Sequence, residues 1–464
     1  MPKLVERARA HRTSNRSIVV VLGCVSVVFA ITTFAHRYGL ADLALDRAAV
    51  RSWLGGDGLY AYRSPDSLLG AALPPVAALF LVPSAFLPLG TAGWLIGLAG
   101  VTALVLALIA LVGPVARRYG RRRWPAVFAA TALALTIEPV RATLGLGELD
   151  LLLFGLITAD VVALRRGAWA RSRAAWWPGR AAAVPLHGRP VTDLARRGWA
   201  TGAWAGVGTG LATVLAVGPA LFIAYLAVTR QWRAALTALG TAGTLAAGAL
   251  LLAPRETAAW FGEVLWRLDR TGGVDRPGNQ SLAGVLARLY DSATTPVLLW
   301  FTFALLLVAV GMIRARSAHA DGDEVTAFTL VGLTGAIVGP VSDTHELVWV
   351  LPALLILVDA AAARQRPMSR RPRPGRNDRF LGAGYAAAAA LTYLVFVSAP
   401  VWAFGHAGGP AGMIGGNAYA LALILLVSGL PWRPGVAPAF PINRWAKQVR
   451  RQPRAVPPAP ATGS

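Results

Sequence analysis

Ionisable residues in this chain gather in four stretches that lie far apart along it. The first holds Asp42, Asp46, Asp57, Tyr60 and Asp66, and the second Glu138, Arg141, Glu148 and Asp150. The third, 254–293, carries Arg255, Glu256, Glu263, Arg267, Asp269, Asp275 and the run Pro277-Gly278-Asn279-Gln280-Ser281. The fourth supplies Ser342, Asp343, His345 and Glu346. Asp42 and Asp46 are four residues apart in LADLALDRAAVRSWL, so one helical turn sets both on one face. An aspartate with a histidine and flanking arginines suits general-base catalysis with an anionic leaving group. Each set also has a plainer use. Outer carboxylates can simply be solvated, Arg141 can pair with Glu138 or Glu148, and His345 can hydrogen-bond to Glu346. No Ser-His-Asp order, phosphate-binding Gly-rich loop or HExxH signature occurs, and no metal ligands or cofactor are read from these residues.

The elements that must position these groups follow from composition. The 464 residues are 55% hydrophobic and 14% charged, with a net charge of +23 and a mean hydropathy of +0.53. Soluble domains are about 25% charged. The apolar runs reach the roughly 20 residues that a helix needs to cross a bilayer. This excludes a soluble enzyme, a disordered basic tail protein and a nucleic-acid binder, and the single Cys24 excludes a disulfide scaffold. The fold expected is all-α and polytopic. About twelve spans are read near 18–36, 94–115, 124–139, 150–165, 199–215, 217–229, 235–253, 294–313, 325–341, 346–363, 380–399 and 413–430. The first run lacks a small-residue cleavage site, so it reads as a span and not a signal peptide. Pro74, Pro75, Pro83 and Pro88 interrupt 73–91, which reads as a juxtamembrane or re-entrant helix ahead of the crossing at 94–115. No internal repeat is visible.

Charge orients the chain, because Lys and Arg favour cytoplasmic loops. With the N-terminus inside, 35 of the 45 basic residues fall on the cytoplasmic side, against six acids. The outer side holds ten basic and fourteen acidic residues, and Asp160 and Asp359 lie inside spans. The four polar sets then share the outer face. The organisation expected is a basic N-terminus (1–17), a transmembrane domain (18–432) with outer loops 37–93 and 254–293 and a cytoplasmic loop 165–198, and a Pro/Arg-rich cytoplasmic tail (433–464). The basic segments read as topology anchors that meet anionic lipid head groups.

These motifs resemble glycosyltransferase family 87, the actinobacterial polyprenyl-phosphate-mannose-dependent α-(1→2)-mannosyltransferases of the GT-C superfamily. The resemblance rests on ADLALDRAAVRSWLGGDGLYAY, ALPPVAALFLVPSAFLP, PVRATLGLGELDLLLFGLITADVV, GLATVLAVGPALFIAYLAVTRQWRAAL, PGNQSLAGVLARL and SDTHELVWVLPALLIL, which occur in the family's order over about 38–363. It implies a GT-C fold in the inner membrane with its site facing outward, and inverting transfer from a polyprenyl-phosphate sugar donor to a glycolipid or lipoglycan acceptor. It implies Asp42 as the base, Asp46 standing where tyrosine is usual, and His345 near the donor phosphate. Tyr60, Arg141, Glu148, Asp150, Asn279, Gln280, Arg255 and Arg267 would bind substrate. The departures are Glu148 and Asp150 for the usual Gln and Asn, Ala216 for lysine, Glu346 for a second histidine, and no Thr-Tyr before the double proline. Arabinofuranosyl transfer, a flippase of lipid-linked saccharide and an inactive scaffold of the same fold remain as alternatives. Transport predicts ionisable residues near the bilayer midplane.

Overall fold

The computed structural model describes residues 23, 25–65, 68–176, 190–267, 272–290, 295–365, 376–405 and 407–433. The segment 1–17, Asp66, Asp269, the middle of the loop 165–198 and nearly all of 433–464 lie outside them. Every regular element among the described residues is a helix. A helix over 25–38 (α1) turns through Gly39 and Leu40 into α2 (Ala41–Leu54), followed by α3 (Pro75–Ala85) and α4 (Leu89–Arg118). Then come α5 (Arg123–Ala134), α6 (Glu138–Leu146), α7 (Asp150–Trp176), α8 (Pro190–Thr201), α9 (Val207–Leu215) and α10 (Ala220–Val228). The chain continues through α11 (Trp232–Leu252), α12 (Pro254–Gly262), α13 (Leu282–Leu289), α14 (Val297–Ala320) and α15 (Glu324–Val338). A 3₁₀ segment, Thr344–Trp349, leads into α16 (Val350–Gln365). The last helices are α17 (Arg376–Ser398), α18 (Pro400–Phe404), α19 (Gly409–Gly416) and α20 (Ala418–Gly429).

Among the described residues, five helices are long and apolar enough to span a membrane: α4, α11, α14, the combined Thr344–Gln365 and the Asp378–Ser398 part of α17. The bent pairs α5–α6 (71°) and α19–α20 (59°) raise the number to seven. Length does not support all twelve expected spans. The run 199–215 divides into α8 and α9, with Gly202 and Gly206 at positive φ between them, and 217–229 holds only the nine-residue α10. An apolar run measures composition, whereas a continuous helix also needs backbone without interruption. The segment 73–91 behaves as its prolines predict. α3 starts on Pro75, where a missing N–H costs little, and its 11 residues reach about 16 Å, half a hydrocarbon core.

Burial sorts the spans. Only 6% of the α14 window is buried, and 17% for α11 and α17, whereas 61% of Thr344–Gln365 is buried. The first three therefore face lipid, and the last lies at the centre of a multi-pass membrane protein. Phe154, Phe222, Phe328 and Trp349 pack centrally, with ring centroids 5.0–5.5 Å apart. Both aspartates inside the expected spans have partners. Asp160 accepts from Thr209 N at 2.6 Å and Thr209 Oγ1 at 2.7 Å at the start of α9, and Asp359 pairs with Arg118 at 2.9 Å and Arg433 at 3.1 Å.

A second, smaller core joins α2, α3 and the start of α4 through Leu43, Val50, Leu59, Ala78 and Leu81. Arg47 Nε donates to Ser84 O (2.8 Å), Arg47 Nη2 to Leu87 O, and Arg51 Nε to Ala85 O (2.7 Å). These are carbonyls at the C-terminal end of α3 and just beyond it, where a helix leaves acceptors unmet and favours cations. The arginines thereby fix the roll of α2. Five residues along a helix is a rotation of about 140° from the starting side, so holding Arg47 against α3 turns Asp42 away from it.

Candidate active site

α6 ends on Gly147, whose φ of +85° closes the helix in the left-handed conformation. The approach there is close: a Cβ on Gly147 would lie 2.7 Å from Leu43 Cβ, and Leu40 N donates to Gly145 O at 3.0 Å. The end of α6 is thus seated on the start of α2, which brings Glu148 into the field of Asp42 and Asp46. Asp150 opens α7, and His345 Nε2 lies 3.8 Å from its Oδ2. The 3₁₀ segment carrying His345 rests on α6 on its other side, where Thr143 Oγ1 lies 3.4 Å from His345 O.

The loop before α13 supplies the remaining wall. Arg276 Nη2 pairs with Asp343 Oδ2 at 2.6 Å, and Ser342 Oγ lies 3.0 Å from Glu346 Oε2. Asn279 and Gln280 hold that loop in register. Asn279 Oδ1 accepts from Ser342 N (2.9 Å) and Ser281 N (3.2 Å), and its Nδ2 donates to Val274 O (2.8 Å). Gln280 Nε2 donates to Pro277 O (2.8 Å) and Gly416 O (2.9 Å), and its Oε1 accepts from Ala420 N (3.3 Å). Both residues are 0% exposed. Their amides are taken up by backbone groups, which hold the loop in place.

Six carboxylates from three sequence-distant regions now share one electrostatic neighbourhood: Asp42, Asp46, Glu148, Asp150, Asp343 and Glu346. His345 and Arg276 are the cationic groups among them. Burial pushes the Asp42 carboxyl above the usual carboxylate range; His345 and Arg276 oppose that, and Asp343 adds to it. Burial drives Asp46 well upward, reinforced by Glu148 and Asp42. Glu148 is pushed up to about 7 by burial, with Asp150 and Asp42 adding and His345 opposing. Desolvation penalises the charged form of an acid, and neighbouring negative charge does the same. Glu148, Asp150 and His345 place one ligand atom each within 4.8 Å of one another, a set able to hold a metal ion that the sequence reading did not anticipate.

The other expected residues stand elsewhere. Arg141 pairs with Glu138 at 2.9 Å and donates to Val397 O at 3.0 Å. Glu138 also accepts from Tyr38 (2.9 Å) and Trp402 Nε1 (3.0 Å), so this buried knot ties α6 to α1, α17 and α18. Tyr60 donates to Leu73 O (2.8 Å) and stacks on Trp260 at 6.1 Å, anchoring the loop between α2 and α3. Arg255 is exposed at the start of α12. Arg267 makes an exposed pair with Glu263 at 3.1 Å. Sequence reasoning passed over Arg276, the arginine that reaches the site. Its signal was its place beside the Pro277–Ser281 run, but ten outer arginines have the same composition.

The profile of glycosyltransferase family 87 matches residues 73–340, more than half of the chain. The chain belongs to this family. It is a glycosyltransferase, and the carboxylate cluster lies where α2, the α6–α7 turn and the Thr344–Trp349 segment converge. The polyprenol-phosphate-mannose-dependent alpha-(1-2)-phosphatidylinositol mannoside mannosyltransferase of Mycobacterium tuberculosis is 28% identical over 341 residues, 70% of this chain and 71% of that protein. The protein of the same name in Mycolicibacterium smegmatis is 28% identical over 349 residues, again 70% and 71%. A phosphatidylinositol pentamannoside mannosyltransferase of M. tuberculosis is 29% identical over 321 residues, 67% of this chain and 63% of that one. Among solved structures, ArnT from Cupriavidus metallidurans, bound to undecaprenyl phosphate, matches 88% of this chain and 76% of its own at 16% identity and a TM-score of 0.33, a likeness too slight to inform the site.

Proposed function

We propose that this protein is an inverting mannosyltransferase of GT-C type. It takes mannose from polyprenyl-phosphate mannose and adds it in α-(1→2) linkage to a mannoside glycolipid or lipoglycan at the outer face of the membrane. The orientation, with both termini cytoplasmic, rests on the charge asymmetry of the loops. The sugar and its lipid carrier rest on the names of the mycobacterial relatives.

The observation that carries the mechanism is the position of Asp42. It opens α2 on the face turned from α3 and within the field of His345 and Arg276. Asp42 takes the proton of the acceptor hydroxyl as that oxygen forms its bond to the anomeric carbon. The bond from that carbon to the phosphate oxygen breaks, and its electron pair leaves with the lipid phosphate. Cationic groups held in a partly dried site are worth most where such charge develops. Arg276, fixed by Asp343, is the cationic group so placed.

Radiolabelled mannose transfer from polyprenyl-phosphate mannose to phosphatidylinositol mannosides, in membranes holding wild type or Asp42→Ala, tests this reading. Loss of a positioned base costs about 10²–10⁴-fold. Undiminished transfer by Asp42→Ala refutes the assignment of the base, and absence of transfer by the wild type refutes the reaction.

A further inference from the structure

We propose that Glu148, Asp150 and His345 form a site for one divalent cation of the Mg²⁺ or Mn²⁺ class, whose remaining coordination positions take the phosphate of the lipid-linked donor. This rests on the transferase reading above and adds to it the ion that lets an anionic donor enter an acidic cleft.

Three observations carry it. First, one carboxylate oxygen from each acid and one imidazole nitrogen lie within 4.8 Å of one another, near enough for small side-chain rotations to bring all three onto a single ion. Second, His345 is 8% exposed, yet among the described residues its ring makes no hydrogen bond. Its Nδ1 is buried without a partner, and its Nε2 faces Asp150 Oδ2 across 3.8 Å, beyond hydrogen-bonding distance. A buried imidazole usually finds a partner, and this one is aimed at two carboxylates without bonding either. Third, the charges do not suit the substrate. Six carboxylates face Arg276 and His345, and Arg276 is already paired with Asp343. A phosphodiester brought into that cluster adds another negative charge in a partly desolvated space.

A cation resolves the conflict. Two carboxylates and an imidazole satisfy about half of an octahedral shell, and ions of this class commonly complete it with water and substrate phosphate oxygens. Placed there, the ion would draw electron density from the phosphate oxygen as the bond to the anomeric carbon breaks. Asp42 lies outside the ligand set and stays free to accept the proton.

The test is Mn²⁺ binding to the purified full-length protein in nanodiscs, read by electron paramagnetic resonance without donor or acceptor. Wild type is expected to bind one Mn²⁺ per chain. Glu148→Gln/Asp150→Asn is expected to weaken binding at least about tenfold. Melting curves confirm that each variant is folded, and Asp150→Asn alone serves if the double variant does not fold. No tight Mn²⁺ in folded wild type, or unchanged binding in the variants, overturns the proposal. Because sugar is absent from this assay, a failure of mannosyl transfer and a failure of the cation site are read separately. In the transfer assay, EDTA is expected to lower the rate by about a hundredfold, with recovery on adding Mn²⁺ or Mg²⁺. Full activity in EDTA also overturns the proposal.

Discussion

Replacing Gly147 by alanine probes the joint that sets Asp42 against Glu148. The left-handed conformation at φ +85° costs a residue bearing a Cβ roughly 1–2 kcal/mol. The new methyl would also stand 2.7 Å from Leu43 Cβ. That neighbour is the first atom of its side chain, so a change of rotamer does not relieve the contact. Ordinary contact begins near 3.4 Å, so α2 and the α6–α7 turn must separate by about 0.7 Å. Overpacking of this kind adds about 1–3 kcal/mol, for a total of about 2–5 kcal/mol. Leu43 adjoins Asp42 and Gly147 adjoins Glu148, so relaxation of either side displaces a carboxylate of the cluster. A misplacement near 1 Å costs on the order of 10²-fold in rate, and kcat should fall roughly ten- to a hundredfold. Purified wild type and Gly147→Ala are compared by kcat for mannosyl transfer and by apparent melting temperature. Gly90→Ala serves as the control, because a Cβ there meets nothing within 4 Å. A Gly147→Ala protein with the kcat and melting temperature of wild type refutes the claim that this contact aligns the site.

The remaining expectations concern proton binding. Asp42 must be ionised to act as base, and burial raises its pKa, so kcat/KM should fall with decreasing pH along a limb above the ordinary carboxylate value near 4. Arg276 opposes that rise, so Arg276→Gln should shift the limb to still higher pH; a limb near 4 in wild type, or one that Arg276→Gln leaves in place, contradicts the geometry. Glu148 binds its proton more tightly folded than unfolded. The destabilisation from ionising it is therefore absent below pH 4.5, grows as the pH rises and is complete above about 7. Glu148→Gln should consequently raise the melting temperature at pH 8 in EDTA and leave it nearly unchanged at pH 4; an equal effect at both values counts against the buried acidic cluster.

Several parts of this arrangement were legible in the residues. The four-residue spacing of Asp42 and Asp46 placed both on one helix, and α2 carries them. The prolines of 73–91 marked a short helix, and α3 is one. The gathering of acids in four distant stretches suggested that they come together, and members of the first, second and fourth stretches lie within one another's field. Other parts had no local signature. Asn279 and Gln280 carry polar amides in a loop, as a ligand-binding pair would, but here those amides bond to the backbone of their own loop, of Ser342 and of Gly416. Arg141, Arg255, Arg267 and Arg276 are the same residue type on the same face, and only packing decides that Arg276 pairs with Asp343 while Arg141 is bound to Glu138. The number of spans is not fixed by hydropathy, which averages over glycine breaks such as Gly202 and Gly206.

Sequence by itself determined the solvent and the clustering of charge along the chain: a 55% hydrophobic chain of helices with a net charge of +23. Hydropathy and side-chain charge belong to each residue and add along the chain, so they need no fold to be read. Tertiary structure alone decided which acids meet, because desolvation and Coulomb interaction depend on distances across α2, the α6–α7 turn and the Thr344–Trp349 segment. Those distances are set by contacts such as Gly147 on Leu43 and Arg47 on the end of α3, between residues 37 to 104 positions apart.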